Sequence, residues 1–200
     1  MSKGLLIVVS APSGCGKGTL LEEAAKQTDF YYSVSATTRA PREGEKDGVN
    51  YHFLTRERFM EIADGGGMLE YAEYCGNLYG TPKKAVDDML ASGRDVLLEI
   101  EVQGALKVME KCPEAVFIFI LPPSLETLRE RLEKRGTESA EVIAERVSQA
   151  EREIKEAYKY GYAVVNDELD KAVGDFLAII RGEKLAVKRN GEAIDRVMGG

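Results

Sequence analysis

The chain has 200 residues, 44% of them apolar and 30% charged, with a formal net charge of −7; this is the composition of a globular domain long enough to bury a real core. The acidic balance argues against a broad nucleic-acid groove or a polybasic membrane patch. Three scattered cysteines, Cys15, Cys75 and Cys112, exclude a full disulfide framework and the familiar zinc spacings, and suit a reducing cytoplasm.

Leu5 to Val9 is a continuous apolar run, as expected of a strand buried on both faces and far too short to span a membrane. A glycine-rich turn follows, then a helix from about Lys17 to Lys26. From Ser33 to about Gly80 the chain turns polar, rich in glycine and tyrosine, and strand-like only in short pieces. This stretch reads as an insertion, with His52 a strand or surface residue. Thr81-Pro82 predicts a new helix, with threonine as N-cap and proline at the first helical position.

Asp95 to Glu101, Ala115 to Leu121 and Ala163 to Val165 read as further buried strands, each followed by helical periodicity. Ser124 is a good N-cap for a helix whose stripe is Leu125, Leu128 and Leu132, with Gly136 at its C′ position. Ile143, Val147, Ala150, Ile154 and Ala157 form a longer stripe. Phe176, Leu177, Ile179 and Ile180 form the face of the last helix. The polar segment from Glu183 to Gly200 reads as a frayed helix or loose tail. Buried strands alternating with helices predict an α/β fold, a parallel sheet covered on both sides.

The sharpest motif is Ser10-Ala11-Pro12-Ser13-Gly14-Cys15-Gly16-Lys17-Gly18-Thr19, between a buried strand and a helix. Glycines let backbone N–H groups turn around an anion, the helix start adds partial positive charge, and Lys17 can reach outer phosphates. Ala11 stands where the first glycine of a phosphate loop is usual. Gly18 stands where serine or threonine usually ligates magnesium, and Thr19 supplies a hydroxyl one residue later. A chance glycine-rich turn is the alternative. Cys15, at a helix start, admits a redox role, against the plainer reading of a small loop filler.

Arg39 and Arg42 lie three apart, with Pro41 stiffening the loop between them. Arginine forks match phosphate oxygens, so with a serine and Tyr51 they could hold a second phosphate. By pattern alone a solvated loop with surface arginines is equally open. Glu99 and Glu101 are two apart on a predicted strand, hence on one face near its C-terminal end, where ligands bind in open α/β sheets. Arg131 and Arg135 share a helix face, and Arg146 follows on the next helix.

SAPSGCGKGTL, SVSATTRAPREGE, then Gly48, Tyr51 and Phe53, MLEYAEYCGNLYGT, LEIEVQGA, FILPPS, RLEKRGTES and VVND, in that order from about Leu5 to Arg181, resemble guanylate kinases. The resemblance implies a phosphate-loop kinase core at 1–32, 82–124 and 162–182 of a single domain. It also implies a GMP-binding insertion at about 33–81, a helical lid at about 125–161 and a tail at 183–200. It implies ATP binding by Ala11, Pro12, Ser13, Gly14, Cys15, Gly16, Lys17, Gly18, Thr19 and Asn166. It implies GMP binding by Ser35, Arg39, Arg42, Glu45, Tyr51, Glu70, Tyr79, Thr81 and Glu101. By the same resemblance, Lys17, Arg39, Arg42, Arg131, Arg135 and Arg146 carry the charge work of catalysis. Mg²⁺ is held mainly by ATP phosphates and water, with Thr19 or Glu99 as candidate helpers.

Guanine chemistry agrees with these assignments. N1–H and the exocyclic amine are adjacent donors that the Glu70 carboxylate can accept as a pair, and O6 can accept from Thr81. The family usually has aspartate at one or both of the positions held here by Glu99 and Glu101, so their roles stay open between nucleotide contact and structure. The expected activity is phosphoryl transfer from ATP to GMP, with dGMP left open as a substrate and no nucleic-acid or membrane partner. A non-catalytic protein-binding module of the same fold is the competing class. Gly16, Lys17, Arg39 and Arg42 standing together argue against it. A kinase for another monophosphate conflicts with the Glu70–Thr81 pair, and a generic GTPase leaves the second anion site without a purpose.

Overall fold

A computed structural model describes residues 3–74, 76–134 and 139–199. The elements run β1 (Leu6–Ser10), α1 (Lys17–Ala25), β2 (Tyr31–Tyr32), β3 (Ala36–Thr37), β4 (His52–Phe53), α2 (Arg56–Asp64), β5 (Met68–Tyr74) and β6 (Asn77–Pro82). They continue α3 (Lys83–Ala91), β7 (Val96–Glu99), α4 (Val102–Lys111), β8 (Val116–Leu121), α5 (Leu125–Lys134), α6 (Ala140–Lys155), β9 (Tyr162–Val165), α7 (Leu169–Leu185) and α8 (Gly191–Met198). The chain falls into two compact units, one of residues 3–9 and 30–115, the other of residues 10–29 and 116 onward.

In the first unit β2, β7 and β1 lie side by side in parallel, with Leu6 opposite Val96 and Val9 opposite Glu99. Every residue of β1 is buried, as its unbroken apolar run requires. The segment expected as an insertion forms a second sheet in the order β4-β3-β6-β5. Ala36, Phe59, Met68 and Leu78 make its core.

Inside that segment lies a helix the sequence pattern does not announce. Helix α2 is charge-rich and buries only Phe59 fully, but its N-terminus is well specified: the Thr55 hydroxyl accepts the Arg58 N–H at 3.2 Å. Strand β7 is shorter than expected. It ends at Glu99, and Glu101 takes the N-cap position of α4, so the two glutamates do not share one strand face.

In the second unit β8 and β9 pair in parallel, Ile118 opposite Tyr162 and Leu121 opposite Val165. Helix α1 buries Leu20, Leu21 and Ala24 and packs on α7, which buries Ala172, Val173, Phe176 and Ile180. Ser124 caps α5 as expected, accepting the Thr127 N–H at 3.0 Å. The α5 stripe is narrower than predicted: Leu128 and Leu132 are buried, while Leu125, in the first turn, is exposed. Gly136, Arg135 and Cys75 lie outside the described residues. No described helix is long and apolar enough to cross a membrane.

Of the two readings of the C-terminal segment, frayed helix or loose tail, the structure shows helix: α7 continues to Leu185 and α8 follows. Glu183 anchors the turn between them. It is buried, takes a hydrogen bond from the Tyr162 hydroxyl of β9, one from Arg189 Nε at 3.1 Å, and an ion pair with Lys188 at 3.4 Å. Burial pushes the Glu183 carboxyl up, but Tyr162, Arg189 and Lys188 outweigh it and hold the carboxyl below its ordinary value. A carboxyl held low in the folded state contributes stability above its unfolded-chain pKa and loses it as pH falls through the folded value. Glu183→Ala is therefore expected to destabilise by about 1–3 kcal/mol at neutral pH. In urea unfolding the gap from the parent protein narrows at about pH 3.

Candidate active site

The turn between β1 and α1 is a glycine-rich loop that leads into the start of a helix. Gly16 occupies the N-cap of α1 in the left-handed region, φ 78°, where a side chain would be strained; a Cβ there would also meet the Asn166 amide nitrogen at 2.8 Å. Gly16, the N-cap residue, offers no side-chain cap to the first turn of α1. Lys17 is the first helical residue and half-buried. Gly18 and Thr19 are exposed on the same turn, as is Ser13 in the loop, while Ala11, Pro12 and Cys15 are buried.

Two side chains from other elements hold this loop. The Asn166 amide donates to the Cys15 carbonyl at 2.7 Å. Arg131 donates to the Asn166 carbonyl at 3.0 Å and to the Cys15 carbonyl at 3.5 Å. Arg131 on α5 and Asn166 after β9 thus converge on one loop carbonyl, 116 and 151 residues away in sequence. Arg146, on α6, is half-buried.

Cys15 is 1% exposed. Burial pushes its thiol up to about 12, although Arg131 and Lys17 pull the other way. The redox reading fails on that burial: a thiol so far above neutral pH holds almost no thiolate. Cys15 is a filler under the loop.

In the first unit, Arg39 stands at the centre of an aromatic and acidic cluster. It pairs with Glu45 at 2.8 Å and lies over the rings of Tyr51 and Phe53, 5.5 and 5.8 Å from their centroids. Tyr51 and Tyr79 meet edge to face at 6.1 Å. Glu45 also accepts the Arg42 backbone N–H at 2.7 Å, which bends the loop and leaves the exposed Arg42 guanidinium on its surface. The hydrogen bond that Arg39 donates to Glu45 raises the Arg39 pKa further, so its charge is permanent. Burial, helped by Tyr79, Glu101 and Glu45 and opposed by Arg39, raises the Tyr51 phenol, which therefore stays a donor. Ser35, half-buried just before β3, gives its carbonyl to the His52 N–H at 2.8 Å.

Glu70 and Thr81 face each other across β5 and β6. The Thr81 hydroxyl donates to Glu70 Oε1 at 2.8 Å. Thr81 is thus a strand residue whose side chain is committed to Glu70, not the cap of a helix; Pro82 takes the N-cap of α3. Glu70 is only 4% exposed. Burial raises its carboxyl, against the pull of Thr81, Lys107 and Lys111. Glu99 is half-buried and accepts the Tyr32 hydroxyl, while Glu101 is exposed at the start of α4.

The guanylate kinase family model matches residues 3–183. The chain is 52% identical over 187 residues to the guanylate kinase of Desulfitobacterium hafniense (strain Y51), covering 93% of this chain and 94% of that one. To the guanylate kinase of Latilactobacillus sakei subsp. sakei (strain 23K) it is 51% identical over 200 residues, covering 99% and 98%. The chain belongs to the guanylate kinase family. A crystal structure of guanylate kinase from Anaplasma phagocytophilum superposes with a TM-score of 0.77 at 37% identity, covering 94% of this chain and 90% of that one.

Several residues of this guanylate kinase family member escape sequence reasoning. Strand β5 carries a bulge between Met68 and Glu70. Gly80 is so tightly packed that a Cβ would lie 2.9 Å from the Glu70 carbonyl oxygen, the Phe59 ring and Tyr71 Cβ. Lys107 and Lys111, which look like solvated helix residues, donate to the Tyr71 and Leu69 carbonyls. Their i, i+4 spacing was the one available signal, and it does not name a partner.

The state of Cys15 can be tested directly. In folded protein treated with iodoacetamide near neutral pH, peptide mass mapping is expected to find Cys15 unmodified, and alkylated only after denaturation.

Proposed function

We infer that the chain transfers the γ-phosphoryl group of ATP to GMP, giving ADP and GDP. The observation that carries this reading is the buried Glu70–Thr81 pair, a carboxylate beside a hydroxyl and nearly sealed from water. Guanine N1–H and its exocyclic amine match the two carboxylate oxygens. As they take over Oε1, the Thr81 hydroxyl is released to donate to O6. Adenine lacks the amine and carries a donor where guanine has O6, so it would leave buried polar groups mismatched, enough for discrimination of about 10⁴.

Arg39, Arg42, Ser35, Tyr51 and Tyr79 would hold the GMP phosphate. Tyr51 and Tyr79 donate hydroxyls, and Arg39 exchanges part of its pairing with Glu45 for phosphate oxygens. Glu45 remains to orient both arginines. The ATP phosphates would lie on residues 11–19 at the start of α1. Lys17 neutralises the outer oxygens, and Arg131 and Arg146 meet the transferring group; Arg135 has the same assignment by its motif. Asn166 has its amide nitrogen committed to the loop, which leaves its side-chain oxygen to accept from the adenine amine.

A GMP phosphate oxygen attacks the γ-phosphorus as the bond to the ADP oxygen breaks, with no enzyme-bound intermediate. The chain's part is to orient the two groups and offset charge. Among the described residues no group of three or more histidine, cysteine, aspartate or glutamate side chains is placed to hold a metal ion. A magnesium ion would take most ligands from phosphate and water, with the exposed Thr19 hydroxyl on α1 as the side chain offered to it. Its chemistry there would be to offset the negative charge of the phosphates.

ADP release with Mg-ATP should occur with GMP and not with AMP, CMP or UMP; silence with GMP, from folded protein that binds it, would overturn the reading in favour of a non-catalytic module. Lys17→Met should lower kcat by about 10²–10³. Glu70→Gln should raise KM for GMP by about 10²–10³, while thermal melting of the free protein holds or rises, because a buried charge has been removed.

A further inference from the structure

Helix α4 meets Glu70 on one face through Gly104, Lys107 and Lys111, spaced i, i+3 and i+7. A Cβ built at Gly104 would lie 2.6 Å from Glu70 Oε2 and 3.2 Å from its carboxyl carbon. No real side chain tolerates the first distance. Strand β5 is the edge of its sheet. Leu69 and Tyr71, the residues on either side of Glu70, give their carbonyls to Lys111, at 2.7 Å, and to Lys107. Lys107 also lies 5.3 Å from the centroid of the Tyr71 ring.

We propose that α4 is the positioning element for the guanine-reading carboxylate. Gly104 vacates the space in which Glu70 Oε2 stands, while Lys107 and Lys111 clamp β5 on both sides of Glu70. This rests on Glu70 being the guanine reader, as inferred above. Before GMP binds, Thr81 donates to Oε1 from the neighbouring strand while Oε2 stands against Gly104, so each oxygen is flanked by a different element. The bulge between Met68 and Glu70 breaks the regular ladder at this point, and the Lys111 ammonium occupies the carbonyl of Leu69 within it. The two ammonium groups add a second effect. The groups that face Glu70 are Thr81 from β6 and Lys107 and Lys111 from α4, and the two charges favour its ionised form, the form that accepts two donors.

The test is a double-mutant cycle read by steady-state kinetics and melting temperature. Gly104→Ala should raise KM for GMP by about ten- to hundredfold, with KM for ATP unchanged. In a Glu70→Ala background the same substitution should add nothing, because the clash partner is gone. Lys107→Met with Lys111→Met should raise KM for GMP and move the acid limb of kcat/KM for GMP to higher pH. Lys107→Arg with Lys111→Arg should restore both. The lysine variants carry the test if Gly104→Ala does not fold.

Glu70→Ala without effect on GMP kinetics would remove the guanine reading, and the proposal with it. Glu70→Ala with its expected loss, but additive with Gly104→Ala, would overturn the positioning role alone. A lysine pair that lowers only the melting temperature, with KM and acid limb unmoved, would overturn it too.

Discussion

A carboxylate almost sealed from water is costly unless its oxygens are met, and the first unit is organised around meeting those of Glu70. Thr81 donates to one oxygen from the neighbouring strand. The other lies against Gly104 of α4. Gly80 has no side chain because Phe59, Tyr71 and the Glu70 backbone fill that space. The bulge in β5, the missing side chains of Gly80 and Gly104 and the lysines along the sheet edge all lie around this one acid.

The same economy governs the charged groups elsewhere. Arg39 is held by Glu45, and Arg131 by the carbonyls of Cys15 and Asn166. Each of these cations has an internal acceptor, so its side chain is oriented in the free protein. Under the proposed function, an anion would exchange one set of hydrogen bonds for another without having to order a free side chain, which would keep the entropy cost of binding small. The pairing of Arg39 with Glu45 is itself only modestly stabilising, since both groups reach solvent. Its structural effect is larger, because the same carboxylate takes the Arg42 backbone N–H and sets the loop.

Much of the chain was legible. Apolar runs marked β1 and β8 because strands buried on both faces tolerate little else. Ser10 to Thr19 announced a glycine-rich turn from strand to helix, and Gly16 takes there a left-handed conformation that strains most other residues. Ser124 announced a helix because its hydroxyl answers an orphan N–H. Other features were not legible. Helix α2 has too little apolar periodicity to distinguish it from loop. Residues 183–199 read as frayed helix or loose tail; what spacing did not show is that the buried Glu183 gathers Tyr162, Lys188 and Arg189 at the turn between two helices. Glu99 and Glu101 read as one strand face, but the helix that begins after Glu101 ends the strand first.

The division follows from the range of the forces involved. Local sequence determined the glycine-rich turn, strands β1 and β8 and the Ser124 cap, because each depends on backbone conformation or burial over a few neighbours, while motif order along nearly the whole chain determined the family. Tertiary structure alone decided the partners: that Thr81 would serve Glu70 and not cap a helix, that Asn166 and Arg131 would meet at the Cys15 carbonyl, that Cys15 would be too buried to ionise. Hydrogen bonds and desolvation act between groups more than a hundred residues apart as readily as between neighbours, and one-dimensional spacing carries no record of which groups those will be.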